Sequence, residues 1–283
     1  MAISLTDRAV RLRLRAIAAL HRAGSGHAAG ALSMADLLTA LFFGEMRLEG
    51  EARDRFVLSK GHAAPILYAV FAELGWITQT ELLSMRQSGS RLQGHPDRTA
   101  LPLLDAGTGA LGQGASVCLG YALAARLRGS ISRNYCVMGD GESQEGQIWE
   151  AAMYAPAVGL DNVCFIIDAN GYQNEGRTAE ILSVAPMGPA WRALGWNVLE
   201  IDGHDIPGIQ TALRQAREHR GQPSLILART VKGKGVPFME RGNDWHCRVI
   251  DGERYAQAVV CLEAQLSDPS LRLVDESGAG GGM

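Results

Sequence analysis

The chain has few cysteines, little net charge and no long apolar segment, and each absence excludes a class of protein. Its five cysteines form no Cys-x-x-Cys pair, and such an odd, scattered set predicts reduced thiols and a cytoplasmic protein. No apolar run is long enough to span a bilayer, and the N-terminus lacks the apolar core of a signal peptide. A net charge of −3 argues against a nucleic-acid-binding surface.

Linkers and repeats are missing as well, which indicates a single folded unit. A chain of 283 residues, 47% hydrophobic and 20% charged, can bury one sizeable α/β core. We therefore predict one domain over residues 1–265 and a tail over 266–283, whose glycine-rich end is expected to be disordered. No Walker-type sequence occurs, so a plain nucleotide-binding α/β domain is disfavoured.

Apolar runs alternate with amphipathic segments along the chain, and this order predicts the fold class. Strands are predicted at 53–59, 133–138, 162–168, 196–201 and 224–229. Helices are predicted at 8–22, 34–43, 64–74, 78–85, 147–157, 187–194 and 207–219, with a further helix ending at Leu127. Strands that alternate with helices predict an α/β fold, in which helices flank both faces of a parallel sheet.

Two polar segments follow neighbouring apolar runs and are the most informative part of the sequence. GDGESQEG, at residues 139–146, follows one predicted buried strand, and Asn170 follows the next. The Asp140 carboxylate and the Asn170 carboxamide can meet at one sheet edge, and the adjacent glycines let a bulky anion approach the backbone. Oxygen ligands of this kind suit Mg²⁺ bound to a diphosphate. The alternative is two strand-end turns with no ligand.

Five of the seven histidines follow a glycine or a tryptophan in predicted loops. They are His27, His62, His95, His204 and His246. A lone histidine in a loop is usually polar surface. Several at the carboxyl ends of neighbouring strands are expected to converge, because these loops meet at one edge of an α/β sheet.

These segments together resemble the thiamine-diphosphate enzymes, whose signature is GDG followed about thirty residues later by Asn. GDGESQEGQIWEA is more similar to the N-terminal, diphosphate-binding part of transketolase, and so are SGH at 25–27, RDRFVLSKGHA at 53–63 and QGHPD at 93–97. The resemblance covers residues 5–262. Two segments depart from it, since Ala28-Ala29 follows His27 in place of Pro-Gly and Cys247 follows His246 in place of Gly. Both departures leave the donor sugar open.

The resemblance implies a cofactor, a metal and a set of ligands. The cofactor is thiamine diphosphate with Mg²⁺, for which Ca²⁺ or Mn²⁺ can substitute. The implied metal ligands are Asp140, Asn170 and the backbone carbonyl of Tyr172. The implied cofactor-binding residues are His62, Gly109, Leu111, Gly139, Asp140, Gly141, Glu142, Asn170 and His246. Lys232 or Lys234 could touch the diphosphate, but we expect both lysines to be solvated.

The catalytic residues that the resemblance implies are His27, His62, His95, His246 and Glu145. Neutral imidazoles can donate to and accept from ketose hydroxyls and can move protons near pH 7. For Glu145, two interpretations stay open. It either faces a partner subunit within a carboxylate network, or it is a helix-start carboxylate favoured by the macrodipole. His204 is expected to be structural.

A whole transketolase is more than twice as long, so the resemblance also implies a separate partner. The missing half includes the pyrimidine-binding domain, and we expect the chain to be the N-terminal subunit of a split transketolase in an α2β2 heterotetramer. The implied reaction moves a two-carbon ketol unit from a phosphorylated or otherwise anionic ketose to an aldose. An apolar interface is expected around the helix after GDG, at Ile148, Trp149 and Met153.

Two other functions remain open at this point. One is the α subunit of a 2-oxo-acid-decarboxylating thiamine-diphosphate enzyme, which shares GDG and Asn. The three histidine-containing segments favour ketol transfer, because a ketose has hydroxyls for histidines to bind and a pyruvate-like acid does not. The other is a non-catalytic cofactor-binding subunit, against which the intact polar residues argue.

Overall fold

Five parallel strands form the centre of the computed structural model, which describes residues 3–240 and 242–273. The strands are β1 (Arg55–Leu58), β2 (Asn134–Gly139), β3 (Val163–Ala169), β4 (Asn197–Asp202) and β5 (Ser224–Arg229). Their order in the sheet is β1-β2-β3-β5-β4, and every neighbouring pair is parallel. All five carboxyl ends therefore lie at one edge.

Helices cover both faces of this sheet. They are α1 (Leu5–Ala23), α2 (Ala29–Leu32), α3 (Ala35–Ala40), α4 (Ala64–Glu73), α5 (Gln79–Leu83), α6 (Gln113–Leu127), α7 (Gly146–Ala157), α8 (Thr178–Ile181), α9 (Met187–Ala193), α10 (Ile206–Glu218) and α11 (Gly252–Glu263). A π-helical turn, Leu41–Glu45, continues α3. Within the described ranges, none of these helices is long and apolar enough to cross a lipid bilayer.

Side chains alternate between the two faces along each central strand, and this divides the core into two layers. On β2, Tyr135 and Val137 pack with α1, α3, α4, α10 and α11, whereas Cys136 and Met138 pack with α6, α7 and α9. Strands buried on both faces read as continuous apolar runs, which is why their positions could be predicted from the sequence. The prediction of a parallel sheet with helices on both faces is confirmed.

The helix α11 was not predicted. Asp251 caps it by accepting a hydrogen bond from the Arg254 amide. Beyond α11, Ser267 donates to Asp7 of α1, and Leu271 accepts from Arg11, so the chain up to 273 packs against the first helix. The rest of the predicted tail, 274–283, lies outside the described residues.

The apolar interface predicted on α7 needs a correction. Ile148 is fully buried in the core beneath the helix, so its inclusion in an exposed patch was wrong. Met153 and Tyr154, on the other face, are 55% and 46% exposed. Periodicity shows which residues share a helix face but not which face meets the sheet, and this is why the wrong residue was chosen.

Candidate active site

The predicted metal ligands lie at the carboxyl ends of the adjacent strands β2 and β3. Asp140 is buried, and its two carboxylate oxygens accept backbone N–H groups from Gly141 at 3.0 Å and Gly171 at 2.7 Å. The Asn170 side-chain oxygen faces the same loop and accepts the Tyr172 amide at 3.1 Å. Two neighbouring strands thus bring a carboxylate, a carboxamide and a backbone turn to one place.

The donor set at this place fits a divalent cation that prefers oxygen. Burial, and then the nearby Asp168 carboxylate, raises the pKa of Asp140 to about 6, so a positive charge beside it would offset an unfavourable electrostatic field. No group of three His, Cys, Asp or Glu side chains in 3–240 and 242–273 could hold a metal by itself. A cation here would therefore need amide, carbonyl and ligand oxygens, which is the coordination that Mg²⁺ commonly takes.

A buried ion pair lies directly below these residues and was missed from the sequence. Asp168, near the end of β3, is fully buried and accepts from the Lys60 ammonium at 2.5 Å and from Ser33 at 2.6 Å. Its other oxygen accepts from Thr230, and the Asn170 amide nitrogen donates to the carboxylate at 3.3 Å. Because the amide nitrogen of Asn170 donates to Asp168, the side-chain oxygen of Asn170 is held facing away from that carboxylate.

The four histidines predicted for the site converge. The ring centre of His27 lies 5.3 Å from that of His62, 5.3 Å from that of His246 and 6.3 Å from that of His95. His62 and His246 are 5.5 Å apart. Among the described residues, the buried Nδ1 of His27 has no hydrogen-bond partner, as expected of an atom that awaits a ligand.

All four imidazoles are neutral near pH 7. Burial, and then the Lys60 ammonium, lowers the pKa of His62 to about 2. Burial, and then Lys232, lowers the pKa of His246 to about 4. The other two have lowered pKa values as well, in both cases chiefly through burial. Each ring can therefore donate one hydrogen bond and accept another, which suits the reading of hydroxyl groups.

Lys232 is buried, so the expectation that it is solvated was wrong. Its ammonium contacts the Asn243 side-chain oxygen, and it lies 2.9 Å from Nδ1 of His246 and 3.4 Å from the Gln173 carbonyl oxygen. Burial, and then the Lys60 ammonium, lowers its pKa to about 8. A cation held in this way beside the candidate metal position is suited to an anionic ligand.

The loop before α6 is brought close to the site by the absence of a side chain at Gly61. A Cβ there would lie 3.0 Å from Thr108 Oγ1 and 3.1 Å from the Gly109 amide nitrogen. A Cβ on Gly109 would in turn lie 3.8 Å from His95, so this glycine borders the histidine cluster. The loop, GTGALG, has GxGxxG spacing but follows irregular chain and not a strand, unlike a dinucleotide-binding loop.

The carboxylates after GDG have different surroundings. Glu142 is buried, and it accepts from Ser59, the Gly112 amide and the Gly139 amide at 2.5, 2.8 and 3.1 Å. It thereby joins the loop before α6 to the end of β2. Glu145 is exposed at the N-terminus of α7. Leu111 lies in the same loop, and its carbonyl oxygen accepts from Gln147 at 2.8 Å.

Arg86 also borders the histidine cluster and was not predicted. It is the one non-glycine residue of the described chain with a positive φ, at 62°. Its guanidinium lies against Gly94, and its charge acts on His27 and His95. None of the described carboxylates forms an ion pair with it. A residue held in an unfavourable backbone region beside a candidate site is a functional candidate.

Comparison with known proteins gives the family of the chain. A family model described as "Transketolase, thiamine diphosphate binding domain" matches residues 6–261. The chain is 39% identical over 268 residues to the 6-deoxy-6-sulfo-D-fructose transketolase subunit SqwG of Clostridium sp. (strain MSTE9), covering 93% of this chain and 98% of that protein. It is 40% identical over 252 residues to an apulose-4-phosphate transketolase subunit of Phocaeicola vulgatus, covering 87% of this chain and 89% of that protein.

Longer relatives are covered only in part. The chain spans 43% of transketolase-like protein 2 of Bos taurus, at 38% identity over 93% of this chain. In the structure of transketolase from Leishmania mexicana it matches 43% of that chain with a TM-score of 0.87, at 28% identity over 97% of this chain. Transketolase from Campylobacter jejuni gives a TM-score of 0.83, at 31% identity over 95% of this chain and 44% of that one.

Proposed function

Because the chain belongs to the family of transketolase thiamine diphosphate-binding domains, we propose that it is the N-terminal subunit of a two-chain transketolase. It binds the diphosphate end of the cofactor, and the complex moves a two-carbon ketol unit from a ketose to an aldose. The observation that carries the proposal is the convergence of four neutral histidines, together with the buried Asp140 and the half-buried Asn170 at the ends of β2 and β3. A metal-diphosphate site and a hydroxyl-reading site thus share one sheet edge.

At the diphosphate end, Asp140, Asn170 and the Tyr172 carbonyl hold Mg²⁺, or Ca²⁺ or Mn²⁺ in its place. Lys232 adds a buried positive charge for the phosphate oxygens, and the ammonium lies 2.9 Å from His246 Nδ1. Thiamine diphosphate, when bound, supplies the electron sink that makes two-carbon transfer possible. The protein contributes orientation and a matched charge.

At the sugar end, the histidines bind hydroxyl groups. His27 has an unpartnered Nδ1 within the cluster. His95 is exposed whereas His62 is half-buried, so we assign His95 to the side where the sugar enters. Neutral rings can hold a proton at one nitrogen and take one at the other, so they can also move protons between hydroxyl oxygens. We assign the two roles to all four histidines, with Glu145 facing the partner subunit.

The substrate is an anionic ketose, and the unpaired Arg86 guanidinium supports this class. Two of the small subunits that the chain resembles are named for a sulfonated ketose and a phosphorylated ketose. Replacement of Arg86 by Ala should raise KM for an anionic ketose about tenfold, whereas KM for an uncharged ketose should stay within about twofold. Equal effects on both ketoses would remove Arg86 from substrate recognition.

The partner is a second chain with a pyrimidine-binding domain, in an α2β2 heterotetramer. Support comes from length, since the chain covers 98% of one subunit of a split enzyme but 43% of a long relative. Support also comes from α6 and α7, which pack against each other and expose Val117, Leu127, Met153 and Tyr154. We place the complex in the cytoplasm, since all five cysteines are free thiols.

The test measures the enzymatic activity of the complex that copurifies with a tagged chain from its own cells. With Mg²⁺ and thiamine diphosphate, it should transfer a two-carbon unit from an anionic ketose to an aldose. His95→Ala should lower this activity about 100-fold or more. His219→Ala, at the residue that follows α10, should leave it unchanged. Unchanged transfer in His95→Ala would support a non-catalytic subunit, and CO₂ release from a 2-oxo acid would support the decarboxylating class.

A further inference from the structure

A buried chain of polar side chains runs from the first helix to the loop that carries Lys232. Arg13 of α1 donates to both oxygens of Asp36 on α3, at 3.2 and 2.5 Å. Asp36 Oδ2 lies 2.8 Å from Nδ1 of His204, which follows β4. His204 Nε2 accepts the Val231 amide at 2.8 Å.

The hydrogen bonds fix the tautomer of His204. A backbone N–H can only donate, so Nε2 carries a lone pair, and Nδ1 carries the proton that is donated to Asp36. Arg13 and Asp36 are buried, and the side chain of His204 is 13% exposed. Burying an arginine, a carboxylate and an imidazole costs free energy. The one His204 nitrogen that is not bound to Asp36 accepts a single backbone amide, that of Val231.

That amide is one of two anchors on either side of Lys232. On the other side, the Gly233 amide donates to the Ala29 carbonyl at 2.9 Å. A Cβ on Gly233 would lie 2.5 Å from the Met239 carbonyl oxygen, so the backbone packs tightly there. The long, flexible side chain of Lys232 therefore starts from a backbone held on both sides.

We propose that Arg13, Asp36 and His204 form a positioning relay that fixes the Val231–Lys232 backbone and so holds the Lys232 ammonium beside His246. The role in cofactor binding rests on the proposed function above. His204, expected from the sequence to be structural, acts here through Lys232 as a positioning residue and does not touch the ligand. The relay belongs to this chain alone and forms without the partner.

Two matched substitutions test the two ring nitrogens of His204 separately. His204→Asn keeps a donor near Nδ1 for Asp36 but loses the acceptor for Val231, whereas His204→Gln places an amide oxygen near Nε2. In the full chain without cofactor, exchange of the ¹⁵N-labelled Val231 amide should speed up about tenfold in the Asn variant and stay within about threefold of wild type in the Gln variant. Acylation of Lys232 by acetic anhydride, read by mass spectrometry, should likewise be faster in the Asn variant than in the Gln variant or wild type. His219→Asn is the control.

The effect on the ligand is read by calorimetric titration of the complex, purified with its partner and freed of cofactor, with Mg²⁺ and thiamine diphosphate. His204→Asn should weaken binding about tenfold, and His204→Gln should restore most of it. In a background of Lys232→Met, the Asn substitution should cost nothing more, because the relay acts through Lys232.

Unchanged exchange at Val231 and unchanged acylation in His204→Asn would overturn the relay, and so would losses that multiply in the double variant. Faster exchange and faster acylation in His204→Asn, together with a wild-type complex that binds no thiamine diphosphate, would uphold the relay and overturn the proposed function. The two failures are thus distinct.

Discussion

Asp168 accepts a hydrogen bond from the Lys60 ammonium at 2.5 Å, in a fully buried position beneath the residues that we assign to the metal. Burial acts to raise the pKa of Asp168, but the ammonium and the hydrogen bonds hold that pKa below its ordinary value. The pair therefore stays charged in the interior, and Asp168 can orient the Asn170 amide.

Removal of one member of this pair should strongly destabilise the fold. Lys60→Met leaves the Asp168 carboxylate buried without its cation and should lower the free energy of unfolding by about 3–5 kcal/mol in urea titrations. The double variant Lys60→Met, Asp168→Asn should recover part of this loss. The exposed pair Arg192–Glu200, at 2.9 Å, is the control, and Arg192→Met should cost less than about 1 kcal/mol. Equal losses in the two single variants would contradict a charged interior pair.

His62 should make the fold sensitive to acid. Its folded pKa is about 2 and its ordinary value is 6.5, so below pH 6.5 the unfolded chain binds a proton that the folded chain does not. The contribution of a neutral, buried His62 to the free energy of unfolding is complete above pH 6.5. Below that pH it falls by about 1.4 kcal/mol per pH unit, or by about 2 kcal/mol at pH 5. His62→Gln should flatten this dependence in urea titrations at pH 5, 6 and 7. An unchanged slope, equal to that of His219→Gln, would show that His62 is not buried in its neutral form.

Asp140 should destabilise the chain in the absence of ligand and stabilise it when Mg²⁺ and thiamine diphosphate are bound. Its carboxylate is buried beside Asp168, and Asp140→Asn removes that repulsion. The variant should therefore be about 1–3 kcal/mol more stable than wild type in the presence of EDTA, and it should lose the stabilisation that Mg²⁺ with thiamine diphosphate gives to wild type. A variant that is weaker in EDTA, or that keeps the ligand-dependent gain, would argue against Asp140 as a metal ligand.

The exposed face of α7 should be needed for assembly but not for folding. Met153→Asp should change the free energy of unfolding by less than about 1 kcal/mol and should prevent the tagged chain from retaining a partner. Ile148→Ala, in the core, should instead cost about 2–5 kcal/mol. Val260→Asp, at a position 68% exposed on α11, is the matched control and should leave assembly intact. Normal assembly of Met153→Asp would mean that the partner binds elsewhere.

The sequence was sufficient for the parts of the fold and site that local patterns determine. Strands buried on both faces read as apolar runs, so β5 was predicted at its observed bounds, 224–229. The loops after those runs held His62, Asp140 and Asn170, and parallel strands bring such loops together wherever the helices pack.

What could not be predicted depends on which side of an element meets its neighbours. Nothing local to Lys232 shows that its ammonium is enclosed by Asn243 and His246, from other parts of the loop region. The relay of His204 joins two helices and two loops that are far apart in the sequence, so no spacing reveals it. Arg86 carried no signal in composition, because its distinctive feature is a backbone angle.

We propose that this chain supplies the diphosphate half of a cofactor site and needs a second chain for the rest. Native mass spectrometry of the tagged chain, purified from its own cells with Mg²⁺ and thiamine diphosphate, tests it most directly. We expect a heteromer that contains a second polypeptide and retains the cofactor. A homo-oligomer that holds the cofactor tightly without any partner would contradict the claim.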